Sequence, residues 1–404
     1  MKKVLIYEPM PDILRADHIC AIAQREIEKG HQVLLLLEEE VQVLYRNSVN
    51  KPHSVYCKNI IRAKIADTGI PFFALPRNKR LKNQFRATPE ETLKDIRDYR
   101  TKHFENIILD FNPDSIMLWN GLIHYQQDFI RLSKALNPNQ KYLFIEAGWF
   151  PQKGTFYIDP MGVNAKSSIA RKSPVPISEN ENRLIEQWKS KFRESNGNYI
   201  IKDKGYIFVP LQLETDTNIT LFSPLKKMED LLRWADKNTP KHLKIIARPH
   251  PLNSKIPDLA FDRRSSRVLL DSQTDLYQLI AECTAVLGIN STTLLESLIF
   301  DKPVFALGEG IFQSSHAIQK QELTEKLKPT KNKNKRRSSN SLLSALLKKQ
   351  ESMPRVSTKS FTSKLKPSTK TTRYNRLETL FSKVSIHLKI WAQQQRVRLA
   401  HYNK

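Results

Sequence analysis

Arg248 and His250 lie between prolines at the end of an apolar run, Lys244-Ile245-Ile246-Ala247-Arg248-Pro249-His250-Pro251. Proline cannot donate to a sheet ladder, so this run reads as a strand with the histidine at its carboxyl exit. Further on, the apolar run Ala285–Ile289 opens into Asn290-Ser291-Thr292-Thr293 and then an apolar helix over Leu294–Phe300, with Glu296 in its first turns. A helix start offers unpaired backbone N–H groups and the positive end of its dipole to an anion. Hydroxyls on Ser291, Thr292 and Thr293 add neutral donors, and Arg248 and His250 add charge from the neighbouring strand exit. The pattern suits a phosphate cradle built without a glycine-rich loop. The same residues have a plainer use, since Ser291 or Thr292 can cap the helix and His250 can serve a turn.

In the first half of the chain, Glu146 stands where the strand Tyr142–Ile145 ends and Ala147-Gly148 follows. A carboxylate held on a rigid edge and partly desolvated suits removal of a proton from a hydroxyl, although a surface carboxylate at a strand end would look the same. Asp159 and Asn164 flank Gly162, which permits a tight turn presenting both; an Asx turn is the alternative. Asn120-Gly121 closes another strand. Gln212 and Asp216 follow the apolar run Tyr206–Leu211. Glu214-Thr215-Asp216 is not a metal motif, and neither the histidines nor the cysteines have ligand spacing, so no metal and no cofactor are expected.

Taken in order, these segments resemble the capsule polysaccharide biosynthesis and export protein family, of the Kps type: β-Kdo transferases that use CMP-Kdo and are more distantly similar to bacterial sialyltransferases. The resemblance covers residues 110–312. It rests on the His-Pro pair, the Ser/Thr turn with its early glutamate and the "KPV" at Lys302-Pro303-Val304, together with "EAGW" at 146–149, "D..GvN" at 159–164, "NG" at 120–121 and "PLQ...D" at 210–216. It implies that His250, Pro251, Ser291 and Thr292 hold the nucleotide phosphate; the reading of the residues adds Arg248, Asn290, Thr293 and Glu296 to the candidate nucleotide-sugar site. Glu146, Asp159 and His250 become candidate catalytic residues. Asn120, Asn164, Gln212 and Asp216 become candidate substrate contacts. Ala147 stands where related motifs often carry a second acid.

The elements that must position these residues alternate strand and helix. Val4–Tyr7, the helix 16–29 capped by Gly30 and the run Gln32–Glu39 make a Rossmann-like start without a G-x-G-x-x-G loop. Thr88-Pro89-Glu90-Glu91 is a helix start, with Thr88 as cap and the helix running towards Asn106. Asp114–Trp119 and Tyr142–Ile145 are strands separated by a helix over 125–136, and 151–178 reads as a loop-rich crossover. This order predicts an α/β protein with two Rossmann-like domains facing a cleft, the GT-B glycosyltransferase architecture. The expected boundaries are an N-terminal domain over 1–180, a nucleotide-sugar domain over 200–320, a basic flexible linker over 326–372 and an amphipathic helix over 375–400. That last helix either packs on the body or lies on an anionic membrane.

The chain has 404 residues, 40% hydrophobic, and a net charge of +25 that is unevenly placed. Residues 321–404 carry 21 Lys and Arg against 4 Asp and Glu, leaving 45 against 37 in the first 320. No run is long enough to span a membrane. An acid and a proline follow the first apolar residues, and the three cysteines cannot all pair, which predicts a cytoplasmic protein. The basic run lacks interleaved aromatics, so nucleic acid is not an expected partner. The resemblance implies transfer of Kdo or a similar acidic sugar from a CMP donor to an anionic phospholipid or glycolipid. It also implies peripheral attachment to the inner membrane beside other capsule assembly proteins. A CDP-glycerol-type polymer transferase, or a non-catalytic scaffold of an export complex, remain alternatives.

Overall fold

The computed structural model describes residues 1–8, 13–37, 43–46, 52–55, 68–74, 89–253, 267–328 and 335–352. β1 (Lys3–Glu8) is buried along nearly its whole length, as a strand covered on both faces of a sheet must be. α1 (Ile13–Glu28) returns to β2 (Gln32–Leu37) through Gly30, whose φ of +79° ends the helix. There the Gly30 N–H donates to the Ile27 carbonyl at 2.8 Å and the His31 N–H to the Glu26 carbonyl at 3.1 Å. β3 (Val43–Arg46) and β4 (Pro52–Val55) pair as an antiparallel hairpin, and β5 (Phe72–Ala74) lies beside β2. Then come α2 (Pro89–Phe111), β6 (Ser115–Trp119), α3 (His124–Leu136) and β7 (Lys141–Ala147). The run β5-β2-β1-β6-β7 is parallel throughout, and its order reverses between β1 and β6.

After β7 the structure departs from the expected crossover. Thr155–Asp159 is a strand, β8, antiparallel to β7, with Glu146 opposite Tyr157. The surrounding Pro, Ser and Gly hide it in the sequence; the burial of Phe156 and Tyr157 reveals it. α4 (Glu179–Ser195) follows, its cap Ser178 accepting the Glu181 N–H at 3.2 Å.

The second sheet is built from β9 (Tyr206–Pro210), α5 (Thr217–Phe222), α6 (Met228–Asn238), β10 (Lys244–Arg248), β11 (Val268–Leu270), α7 (Leu276–Glu282), β12 (Ala285–Gly288), α8 (Thr292–Ile299), β13 (Val304–Ala306) and β14 (Gln319–Lys320). Its order, β11-β10-β9-β12-β13-β14, is parallel and reverses between β9 and β12. In open α/β sheets such a reversal leaves a crevice at the carboxyl ends of the two strands. Two doubly wound sheets opening on one cleft make the GT-B architecture.

Part of the expected flexible linker is ordered. α9 (Lys335–Lys349) buries Leu342, Leu343 and Leu346 completely, in a cluster that also holds Trp149 and Tyr157 of the first half and Leu294 and Leu298 of α8. β15 (Glu351–Ser352) then joins the first sheet antiparallel to β8. The basic composition of this stretch concealed one apolar face, Leu342-Leu343-Leu346. The expected helix over 375–400, the linker segments 329–334 and 353–372 and the Thr88 cap lie outside the described residues. No helix among the described residues is long and apolar enough to cross a membrane.

An ion network centred on one buried lysine fixes α9. The Lys189 ammonium, fully buried on α4, lies 3.2 Å from a Glu186 carboxylate oxygen and 3.3 Å from the Asn340 amide oxygen, and also bonds Asp301. Arg336 of α9 grips both oxygens of Glu186, at 2.9 and 2.6 Å. Burial alone would raise the Glu186 carboxyl, but bonds from Arg336 and Asn340 and the charge of Lys189 hold it at about 2. A carboxylate held so low stabilises the fold above its unfolded value, about 4.3, and that contribution is lost as pH falls through 2. Glu186→Gln is therefore expected to flatten the fall in melting temperature between pH 4 and pH 2. Lys189→Met is expected to cost about 2 kcal/mol at pH 7 by leaving its acceptors unpaired. Calorimetry across pH checks both.

Candidate functional site

The carboxyl edges of the two sheets meet on a cavity of about 280 Å³. Asn120, Glu146 and Asn164 line it from the first sheet, and Asp216 and Thr292 from the second. These five were separate sequence candidates, and the fold brings them together. Gln152, Thr217 and Asn218 also line it and were missed. Only Asn218 had a local signal, the Asp216-x-Asn218 spacing of an Asx cap.

On the first wall, Glu146 is fixed by its neighbours. One carboxylate oxygen accepts the Asn120 amide at 2.7 Å, and the other accepts the Ala147 N–H at 3.0 Å. Asn120 can reach it because Asn120 and Gly121 both adopt left-handed backbone, with φ of +70° and +78°. A Cβ on Gly121 would stand 2.4 Å from the Phe144 ring, so the turn admits only glycine there. The Asn120 side-chain oxygen accepts the Leu122 N–H at 3.1 Å, so the turn role and the site role coincide in one side chain. Behind Glu146 the Tyr157 hydroxyl is fully buried and accepts the Asn164 N–H at 2.9 Å. Burial first, then the Glu146 charge, push its phenol well above the ordinary value, so it stays protonated.

Asp159 is a correction. It is fully buried and absent from the cavity lining, and its oxygens accept the Met161 N–H at 2.9 Å, the Ser168 N–H at 3.1 Å and the Ser168 hydroxyl. Its geometry suits holding the turn that carries Asn164 and offers no direct part in chemistry.

The second wall is organised by amide pairs. The Gln212 amide donates to the Asn290 side-chain oxygen at 3.0 Å, and the Asn290 N–H donates to the Gln212 oxygen at 3.2 Å. Both side chains are spent in joining the exits of β9 and β12, so they shape the wall and do not line the cavity. Ser291 caps α8 by accepting the Thr293 N–H at 3.2 Å, while Thr292 faces the cleft at the helix start. Asp216 caps α5 by accepting the Asn218 N–H at 2.8 Å.

Arg248 differs from expectation: its guanidinium donates to the Thr274 carbonyl, anchoring the loop before α7. His250 is half-buried, and its Nδ1 accepts the Leu252 N–H at 3.1 Å, which leaves the proton of the neutral ring on Nε2. Burial lowers the imidazole below its ordinary value, and the nearby Asp216 carboxylate opposes the shift. Pro251 is exposed in the turn that follows. Among the described residues there is no group of three or more His, Cys, Asp or Glu placed to hold a metal ion.

Glu296 does not line the cavity. Its carboxylate accepts the Tyr277 hydroxyl at 3.1 Å, and burial pushes it up to about 7, with the Tyr277 bond pulling down. A carboxyl raised in this way favours the folded state below its unfolded value, about 4.3, and that advantage is lost as pH rises through 7. Glu296→Gln keeps an oxygen for Tyr277 with no charge to bury. Its melting temperature is expected to exceed that of wild type at pH 8, with the gap closing towards pH 4, as calorimetry would read.

Residues 165–353 match the family model described as capsule polysaccharide biosynthesis protein. Among curated proteins, Protein FixF of Sinorhizobium fredii is 28% identical over 222 residues, covering 53% of this chain and 53% of that protein. The chain thus spans about half the length of the curated relative it matches. Among solved structures, the β-Kdo 2,7 transferase of Thermosulfurimonas dismutans KpsC aligns over 79% of this chain and 94% of its own, at 16% identity and a TM-score of 0.45. The calicheamicin glycosyltransferase CalG4 aligns over 86% of this chain and 95% of its own, at 9% identity and a TM-score of 0.35. Over residues 165–353, a little under half of its length, the chain is similar to the capsule polysaccharide biosynthesis proteins.

Proposed function

We propose that the protein is a glycosyltransferase of capsule polysaccharide synthesis, moving Kdo or a similar acidic sugar from a CMP donor to a lipid-linked acceptor. One observation carries this reading. The same cavity holds an oriented carboxylate, Glu146 gripped by Asn120, on one wall and the open start of α8 at Thr292 on the other. Group transfer from a nucleotide sugar needs both: a base for the incoming hydroxyl and an electropositive seat for the departing phosphate.

In this mechanism the donor phosphate sits at the start of α8, against the Thr292 hydroxyl and the positive end of the helix dipole, with the His250 Nε2–H as a further donor. The bond from the sugar's anomeric carbon to the phosphate oxygen breaks, and its electron pair leaves with CMP. The acceptor hydroxyl oxygen bonds to the anomeric carbon, and its proton passes to Glu146. Asp216, on the opposite wall, supplies negative charge beside the carbon as it becomes oxocarbenium-like. Asn164 and Gln152 offer amides to sugar hydroxyls. No metal is required where helix dipole and hydrogen bonds balance the leaving group. An anionic phospholipid or glycolipid acceptor, with peripheral attachment to the cytoplasmic face of the inner membrane, belongs to the same reading.

The test is transfer from CMP-Kdo, generated in situ, to a fluorescent phosphatidylglycerol analogue. Wild type is expected to form product. Glu146→Gln should lower turnover about 100-fold with CMP affinity retained, while His250→Ala should weaken CMP binding about tenfold. Product from CDP-glycerol instead of CMP-Kdo would identify a different donor class. Failure to bind CMP at all would sink the transferase reading in favour of a scaffold.

A further inference from the structure

The strap that returns from α9 to the first sheet touches the proposed active wall at two consecutive residues. Gln350 lies between α9 and β15. Its side-chain oxygen accepts the Trp149 N–H at 2.9 Å and the Phe150 N–H at 3.0 Å, and its amide donates to the Phe150 carbonyl at 2.8 Å. Trp149 and Phe150 are only 4% and 5% exposed, so water cannot readily replace these bonds. A Cβ on Gly148 would stand 3.2 Å from the Gln350 oxygen, which places this side chain directly against the segment that follows Glu146. Ala147, Gly148, Trp149 and Gln152 of that loop line the cavity.

The preceding residue serves the other loop. Lys349 lies 3.3 Å from the fully buried carboxylate of Asp159, which ties Met161 to Ser168 across the turn carrying Asn164. One short segment thus holds both loops of the first-sheet wall. The segment is itself anchored away from the cleft, by the Arg336–Glu186 pair and by β15 against β8.

We propose that Gln350 and Lys349 are positioning residues for the acceptor-side wall: Gln350 sets the loop that follows Glu146, and Lys349, through Asp159, sets the turn that presents Asn164. The kinetic part of this proposal rests on the transferase reading; the structural part stands without it. A wall displaced by a fraction of an ångström misplaces the base relative to the acceptor hydroxyl while leaving the phosphate seat on the second sheet untouched.

The experiment compares full-length wild type with Gln350→Ala, Gln350→Glu, Lys349→Met and Lys349→Arg. Amide hydrogen exchange, CMP affinity and the kinetics of transfer are measured on each. Gln350→Ala is expected to speed exchange about tenfold in peptides covering 147–152 while leaving the second sheet unchanged. It should lower kcat about tenfold, with CMP affinity within about twofold of wild type because the Gln350 bonds go to the first-sheet wall. Gln350→Glu keeps the acceptor but loses the donor, so it should fall between. Lys349→Met should loosen 160–168 instead, and Lys349→Arg should restore it. Exchange in 147–152 unchanged by Gln350→Ala would overturn the proposal. A uniform rise across the body, or an equal loss of CMP affinity, would do the same by making these residues general contributors to stability. If wild type transfers no sugar, the transferase reading fails, and hydrogen exchange still decides whether the strap sets the loops.

Discussion

The second wall of the cleft hangs on the side-chain amide of Asn290. Its nitrogen donates to the Asn218 carbonyl at 2.9 Å and to the Glu309 carbonyl at 3.0 Å, while its oxygen and backbone N–H engage Gln212. A single side chain therefore joins the loops after β9, β12 and β13 to the start of α5. Each such bond contributes about 1 kcal/mol net. The neighbouring backbone is tight as well, since a Cβ on Gly308 would stand 2.6 Å from Ile289 and 3.3 Å from the Asn290 amide. The knot thus ties together the loops that carry Thr292 and Asp216 into the cavity.

The first wall reaches the same end by different means. Its carboxylate is oriented by the Asn120 amide and the Ala147 N–H, and that side-chain amide is oriented by backbone that Asn-Gly supplies readily at two successive left-handed positions. Behind it lies an aromatic layer, with Trp149 stacked on Tyr157 at 4.4 Å between ring centres. One wall is thus set by a polar knot and the other by a strained turn laid over aromatic packing. Preformed surroundings of this kind are what electrostatic stabilisation of a transferring group requires.

The sequence revealed what local chemistry determines. The strand exits at Asn120, Glu146, Gln212, His250 and Asn290 follow from apolar runs that end in turn formers, and all lie at carboxyl edges of the two sheets. Roles fixed by distant partners were not legible. Asp159 reads as an exposed turn acid until Lys349, 190 positions away, is seen beside it. Arg248 reads as a phosphate ligand until Thr274 takes its guanidinium. The ordered part of the basic stretch was hidden because three buried leucines count for little beside many lysines, although their spacing of one and three marks a helix face. The antiparallel β8 escaped for a related reason: five residues between prolines and glycines resemble a loop unless the neighbouring strand is known to be waiting.

β15 has an implication for how the molecule is made. The first half of the chain emerges from the ribosome well before residues 335–352, yet its sheet gains its last strand, and its hairpin the bonds from Gln350, only when those residues arrive. Domains commonly fold in the order of synthesis. Here the N-terminal sheet can form early, but its ligand-facing loops must wait for the far end of the second sheet's domain. A nascent chain therefore carries an unfinished first wall until residues 335–352 arrive.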